Sequence, residues 1–236
     1  MKTRSKILII LALIVIVAFA GVYFFCKYLP EKQQQAEIER MIKEYYDYKF
    51  ALYEEENSRY NDYEVDVAFL GDSLTDGYDL EHYYPQYVTA NRGIGGETSH
   101  GLQNRLKLSL YDLKPKVAVI LIGGNNINTM LDNYENMLIE IQSNLPNTKI
   151  ILVSLTAMGG SWAHKNQMAA YNNVTIKKLA AKYGHSFVDL YTPLFDESIG
   201  EIYANYTNDG VHLTPLGYQV FTETLTPYID ALLKEK

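Results

Sequence analysis

Apolar positions divide the 236-residue chain into three stretches of different periodicity. From Ile7 to Cys26 the run is uncharged and almost wholly apolar, with Lys2, Arg4 and Lys6 before it and Lys27 after it. About 20 residues at about 1.5 Å each reach roughly 30 Å as a helix, the thickness of a bilayer's hydrocarbon core. With its basic leading flank, the run predicts an uncleaved single-pass anchor whose N-terminus stays in the cytoplasm while the remainder is exported. A cleaved signal peptide is the rival, but its apolar region is shorter and ends in small residues. This run ends in Tyr23-Phe24-Phe25-Cys26.

Pro30 closes that stretch, and Glu31 to about Asn57 is highly charged. Ile38, Met41, Tyr45, Tyr48 and Leu52 recur three or four residues apart, which predicts a helix with one apolar stripe. Two heptads are too few to specify a coiled coil, so the stripe reads as that of a stalk helix resting on the domain that follows. Glu54-Glu55-Glu56 reads as a solvated helix end.

From Tyr63 the pattern changes to short apolar runs alternating with helical ones. Strands are predicted at Val65–Leu70, near Tyr87–Asn91, at Lys116–Ile122, at Lys149–Leu155 and at Ser186–Leu190. Helical segments fall near Thr98–Asp112, Met130–Leu145, Lys165–Tyr183 and Pro215–Lys234. Continuous apolar strands alternating with helices imply a parallel sheet of five strands covered on both faces, an α/β fold. The predicted organisation is therefore a cytoplasmic tail (1–6), an anchor (7–26), a helical stalk (27–60) and one α/β domain (61–236).

Composition narrows the function. Hydrophobic residues make up 47% and charged residues 21%, as in a folded domain. A net charge of −7 offers no basic patch for nucleic acid. Cys26 is the only cysteine, which rules out an intramolecular disulfide and a cysteine-based metal site. His82, His100, His164 and His185 are scattered without metal-ligand spacing, and neither a metal nor another cofactor is expected.

Four polar blocks fall just after strands or in a late loop, where α/β folds place their chemistry. They are Gly71-Asp72-Ser73-Leu74, Asn91 through Thr98, Gly123-Gly124-Asn125-Asn126, and Asp209-Gly210-Val211-His212. Each alone suits an ordinary turn or cap. Together they supply what acyl transfer by serine needs. Ser73 can serve as nucleophile, His212 as its base, and Asp209, three residues earlier, can fix the imidazole's orientation. The backbone N–H groups of Ser73 and Gly96 and the Asn125 amide can stabilise an oxyanion. Trp162, the only tryptophan, and Tyr78, one of several tyrosines near Ser73 with Tyr83, Tyr84 and Tyr87, are candidates for lining a substrate cleft. Packing is the equal alternative for each.

The ordered blocks resemble those of the GDSL, or SGNH, hydrolases over about Val65 to Leu232. The resemblance implies a flavodoxin-like three-layer α/β/α sandwich and a serine esterase or acylhydrolase with Ser73, Asp209 and His212 as triad. It also implies that Ser73, Gly96 and Asn125 form the oxyanion hole. Two positions depart from the family's common pattern: Glu97 stands where Asp is frequent, and Asn126 follows Asn125 where Asp is frequent. With an exported domain, the expected substrates are carboxylic esters such as O-acetyl groups on surface carbohydrate, with lipid esters open. An acyltransferase using the same triad with a sugar hydroxyl as acceptor is one alternative, and a non-catalytic carbohydrate-binding module is another.

Overall fold

The computed structural model describes Phe19 and residues 21–234. Of the expected anchor, residues 7–18 and 20 lie outside the described residues. Among those that are described, no helix is long and apolar enough to cross a membrane. The chain divides into two units, one ending at Phe50 and the other beginning at Ala51.

In the first unit a π-helical turn, Phe24–Tyr28, leads into α1 (Leu29–Asn57). Ion pairs of Arg40 with Glu37 and of Lys43 with Asp47 run along it at helical spacing. Ile38, Met41 and Tyr48 of the expected stripe are exposed.

The second unit is built on β1 (Val67–Gly71), β2 (Thr89–Gly93), β3 (Val117–Leu121), β4 (Lys149–Val153) and β5 (Ser186–Val188). All pair in parallel, in the order β2-β1-β3-β4-β5. That order reverses at β1, so the crevice beyond the ends of β1 and β3 is the topological switch point. The sheet's alternate side chains feed two cores. Ala68, Leu70, Ile120 and Leu152 face α4 (Ser99–Asn104), α5 (Leu131–Asn144) and α6 (Asn166–Tyr183). Val67, Phe69, Val119 and Ile151 face the last helix, which carries Phe221, Leu225 and Ile229. Two buried faces explain why the strands read as continuous apolar runs.

The elements between strands are short where they carry function. Ser73–Asp76 forms α2, a single turn after β1, and Leu80–Tyr83 forms α3. The expected helix over Thr98–Asp112 is instead α4 followed by a π-helical turn, Lys107–Tyr111. After β5 come α7 (Tyr191–Leu194) and a small hairpin of β6 (Phe195–Asp196) and β7 (Glu201–Ile202), whose two-residue strands carry no periodic signal. α8 (Pro215–Lys234) closes the chain.

Residues 51–57 of α1 are built into this second unit. Tyr53 is fully buried and its hydroxyl donates to the Gly93 carbonyl at 2.6 Å. Arg92, on the buried face of β2, pairs with Glu56 and donates to Asn57 Oδ1 at 3.0 Å, its guanidinium 4.7 Å from the Tyr53 ring centre. The acidic helix end is thus not simply solvated, because Glu56 neutralises a buried cation.

Candidate active site

Ser73 begins the turn that follows β1. Asp72 caps that turn, with Oδ1 accepting the Leu74 N–H at 3.1 Å. Asn91 holds the turn's other end, donating from Nδ2 to the Thr75 and Tyr78 carbonyls at 2.7 and 3.1 Å. The turn that carries the nucleophile candidate is therefore held at one end by Asp72, which follows β1, and at the other by Asn91 of β2.

The Asp209–His212 loop folds on itself. Asp209 Oδ1 accepts the backbone N–H groups of Val211 and His212 at 3.0 and 2.8 Å. Its Oδ2 accepts from His212 Nδ1 at 2.7 Å. That contact leaves Nε2 to face Ser73 Oγ at 3.0 Å, so it serves as the acceptor of the serine proton. Both loop side chains are about half exposed, at 52% and 49%. The hydrogen bond from His212 pulls the Asp209 carboxyl down to about 2, so it stays ionised. Asp72 behaves oppositely: burial pushes its carboxyl up to about 6.

The three oxyanion candidates lie on separate loops. Ser73 sits in the first turn of α2, where a backbone N–H has no intrahelical acceptor. Gly96 has φ +78° in a turn closed by the Glu97 N–H donating to the Ile94 carbonyl. Only a residue tolerant of the left-handed region fits there without strain. Asn125 donates from Nδ2 to the Glu97 carbonyl at 2.9 Å, which fixes the amide and spans the two loops. Asn125 lines the cavity beside Ser73; Gly96 is not among its lining residues.

That cavity is small, about 130 Å³. Leu74, Leu121, Leu155, Met158 and Val211 give it apolar walls, and Trp162 and Lys165 also line it. Trp162 is 41% exposed, with Lys165 Nζ 4.5 Å from its ring centre. Tyr78 corrects the expectation. It is 3% exposed and stacks on Tyr218 and Phe221 with ring centres 4.8 and 5.0 Å away. Its ring joins the core under α8 with Tyr218, Phe221 and Leu225. Tyr84 is fully buried and Tyr83 and Tyr87 pack on the same core.

Two supports escaped the sequence reading. Glu97 and Arg105, 2% and 3% exposed, pair at 2.8 Å. Arg105 also donates to the carbonyls of Arg92 and Gly71 and to Ser109 Oγ. One buried guanidinium thereby ties the ends of β1 and β2 to the Gly96 turn. Its signal was present: Arg105 interrupts the stripe Leu102, Leu106, Leu110, Leu113, a charge where packing wants an apolar residue. Asn126 accepts the Ser99 N–H at 3.2 Å and donates to Ser99 Oγ at 3.0 Å. An ionised Asp could not make the second bond.

The segment carrying Trp162 is joined to the Asp209–His212 loop through backbone. The Gly159 N–H donates to the Gly210 carbonyl at 2.8 Å. Gly210 has φ +90°, and a Cβ there would lie 2.2 Å from the Gly159 oxygen. Among the described residues no group of three His, Cys, Asp or Glu side chains comes together to hold a metal ion.

A parallel α/β/α sandwich presenting an aligned serine, histidine and aspartate at its switch point has the arrangement of a serine hydrolase. The chain belongs to the GDSL-like lipase/acylhydrolase family, whose sequence profile matches residues 69–220. It is 32% identical over 184 residues to the platelet-activating factor acetylhydrolase IB subunit alpha2 of Rattus norvegicus, covering 74% of this chain and 80% of that one. A Streptococcus pneumonia structure, described as a candidate platelet activating factor, superposes with a TM-score of 0.74 at 25% identity, covering 84% and 99% of the two chains. An acetylxylan esterase from Geobacillus stearothermophilus shares the fold with a TM-score of 0.59 at 22% identity, covering 72% and 95%.

Proposed function

We propose that this hydrolase works through an acyl-serine intermediate and removes short acyl groups, acetyl foremost, from carbohydrate at the outer face of a membrane. The carrying observation is the continuous relay from Asp209 through His212 to Ser73, with contacts of 2.7 and 3.0 Å. Ser73 Oγ bonds to the ester carbonyl carbon while its proton passes to His212 Nε2. The oxyanion is met by the Ser73 and Gly96 N–H groups and the Asn125 amide. Collapse breaks the ester C–O bond, and His212 returns the proton to the departing alcohol. Water, deprotonated by His212, then releases the acid and restores Ser73.

The small apolar cavity supports a short acyl group, because ligand pockets for larger molecules run to about 300–1,000 Å³. Exposed Trp162 beside it supports a sugar, whose apolar face stacks on aromatic rings. Names among the similar proteins, an acetylhydrolase subunit and an acetylxylan esterase, agree with acetyl as the leaving acid. The placement outside the cytoplasm, with Ile7–Cys26 as a retained anchor, rests on that run and its basic flank.

The test is p-nitrophenyl acetate turnover by the soluble chain from residue 31, beside Ser73→Ala. Loss of turnover in the variant, by about 10⁴-fold or more, is expected; equal rates would sink the mechanism. Acetyl release from acetylated oligosaccharide should exceed release from acetylated lipid. For the anchor, a mature chain found in the medium and starting beyond Lys27 would overturn retention.

A further inference from the structure

We infer that Lys165 selects esters whose alcohol half carries a negative charge, and that the favoured class is an acetylated saccharide bearing a carboxylate. The inference rests on the hydrolase reading above and adds a substrate class to it. Lys165 lines the cavity beside Ser73 and also lines a second, larger cavity of about 470 Å³. It is the residue shared by the two, and no carboxylate among the described residues pairs with it. In a chain of net charge −7, with Asp72 and Asp209 in the same cavity, an unpaired cation at the shared wall has a direction. Its Nζ rests over the Trp162 ring, which keeps the ammonium at that wall rather than out in solvent.

The geometry separates the two halves of an ester. On this reading the small apolar cavity takes the acyl group, and the alcohol lies on the side of Lys165, the residue that also lines the larger cavity. The rest of that larger wall is Ile127, Asn128, His164, Gln167, Met168 and Tyr171, with Tyr171 66% exposed. Two side-chain amides, an imidazole and one exposed phenol ring suit hydroxyls and a sugar face.

Two small esters of matched shape test this: 4-acetoxybenzoate, anionic in its leaving group, and neutral 4-acetoxybenzamide. The readout is the ratio of kcat/KM for the anionic over the neutral ester, so a general loss of activity divides out. Lys165→Met should lower the ratio about tenfold, as expected for one charge-assisted contact. Lys165→Glu should lower it further, and Lys165→Arg should retain most of it. The wild-type ratio should fall as salt rises, and that of Lys165→Met should not. An unchanged ratio in both Lys165→Met and Lys165→Glu overturns the inference, while Ser73→Ala turning over either ester at the wild-type rate would instead overturn the hydrolase mechanism. For the source of the charge, acetylated uronic-acid oligosaccharide is set against acetylated neutral oligosaccharide and against vesicles of an acetylated lysophospholipid. Lys165-dependent preference for the uronic-acid substrate supports the saccharide, and the same dependence with the phospholipid vesicles alone overturns it.

Discussion

Asp72 and Asp209 line the same cavity, yet one is sealed beneath the nucleophile turn and the other stands half exposed on a late loop. Burial raises the first carboxyl to about 6, and hydrogen bonding to His212 lowers the second to about 2. The same contrast runs through the whole site. Its reactive rim is local and wet: Asp209 and His212 are three residues apart and hold each other. Its floor is long-range and dry: Glu97, Arg105, Arg92 and Tyr53 come from different elements and meet where water does not reach. Chemistry at the rim therefore depends on a charged framework that contributes no reacting atom.

Breaking the floor should cost the most stability. Arg105→Met leaves Glu97 buried without its partner, a loss of about 3–5 kcal/mol. In a chain of this size the melting temperature should drop by about 6–20 °C in a thermal scan. The double variant Glu97→Leu with Arg105→Met removes both charges and should recover most of that drop. No recovery would mean the pair matters for its hydrogen bonds to Gly71 and Arg92 rather than for charge balance.

Asn125→Ala should do the reverse, lowering kcat about 100- to 1,000-fold, or about 2.7–4 kcal/mol, with the melting temperature within about 2 °C of wild type. A large melting shift with modest kinetics would move Asn125 from the rim to the floor, since it also bridges to the Glu97 carbonyl.

The two aspartates predict opposite pH behaviour. A carboxyl whose folded-state pKa is raised holds its proton more tightly in the folded chain than in the unfolded one. The Asp72 contribution is therefore fully present below its unfolded value and is lost as pH rises through about 6. Asp72→Asn keeps the cap to Leu74 without the charge and should stabilise the protein by about 2–3 kcal/mol at pH 7.5. That advantage should shrink as pH falls through about 6 and vanish below about 4 when melting curves are compared across pH. Asp209, with a depressed value, contributes above its unfolded pKa and loses that only as pH falls through about 2. Solvent screening at its exposed position keeps the contribution small.

Tyr53→Phe is the gentlest probe, removing one buried hydrogen bond to the Gly93 carbonyl for about 1 kcal/mol. Urea unfolding should register it. A loss of several kcal/mol would show that the end of α1 does more for the floor than one bond implies.

What the sequence disclosed follows the same division. Serine, asparagine and Asp-x-x-His are demanded by exposed chemistry, so their types and order are legible without knowing what packs where. Five strands announced themselves because both faces of a central parallel sheet are buried. Arg92 and Arg105 were hidden, since a charge in sequence reads as surface until its buried partner is known. Tyr78 misled for a related reason. Its nearness to Ser73 in the chain gave no information about the direction of its ring, which packs on Tyr218 and Phe221.

Because Gly159 and Gly210 touch backbone to backbone, the Trp162–Lys165 segment and the Asp209–His212 loop form a single unit of inheritance. A lineage that changes the length of chain between Thr156 and Gly159 moves His212 as well. Tolerated variation should therefore concentrate beyond Gly160. Transplanting a relative's 157–165 segment should yield an active chimera only when residues 207–214 travel with it.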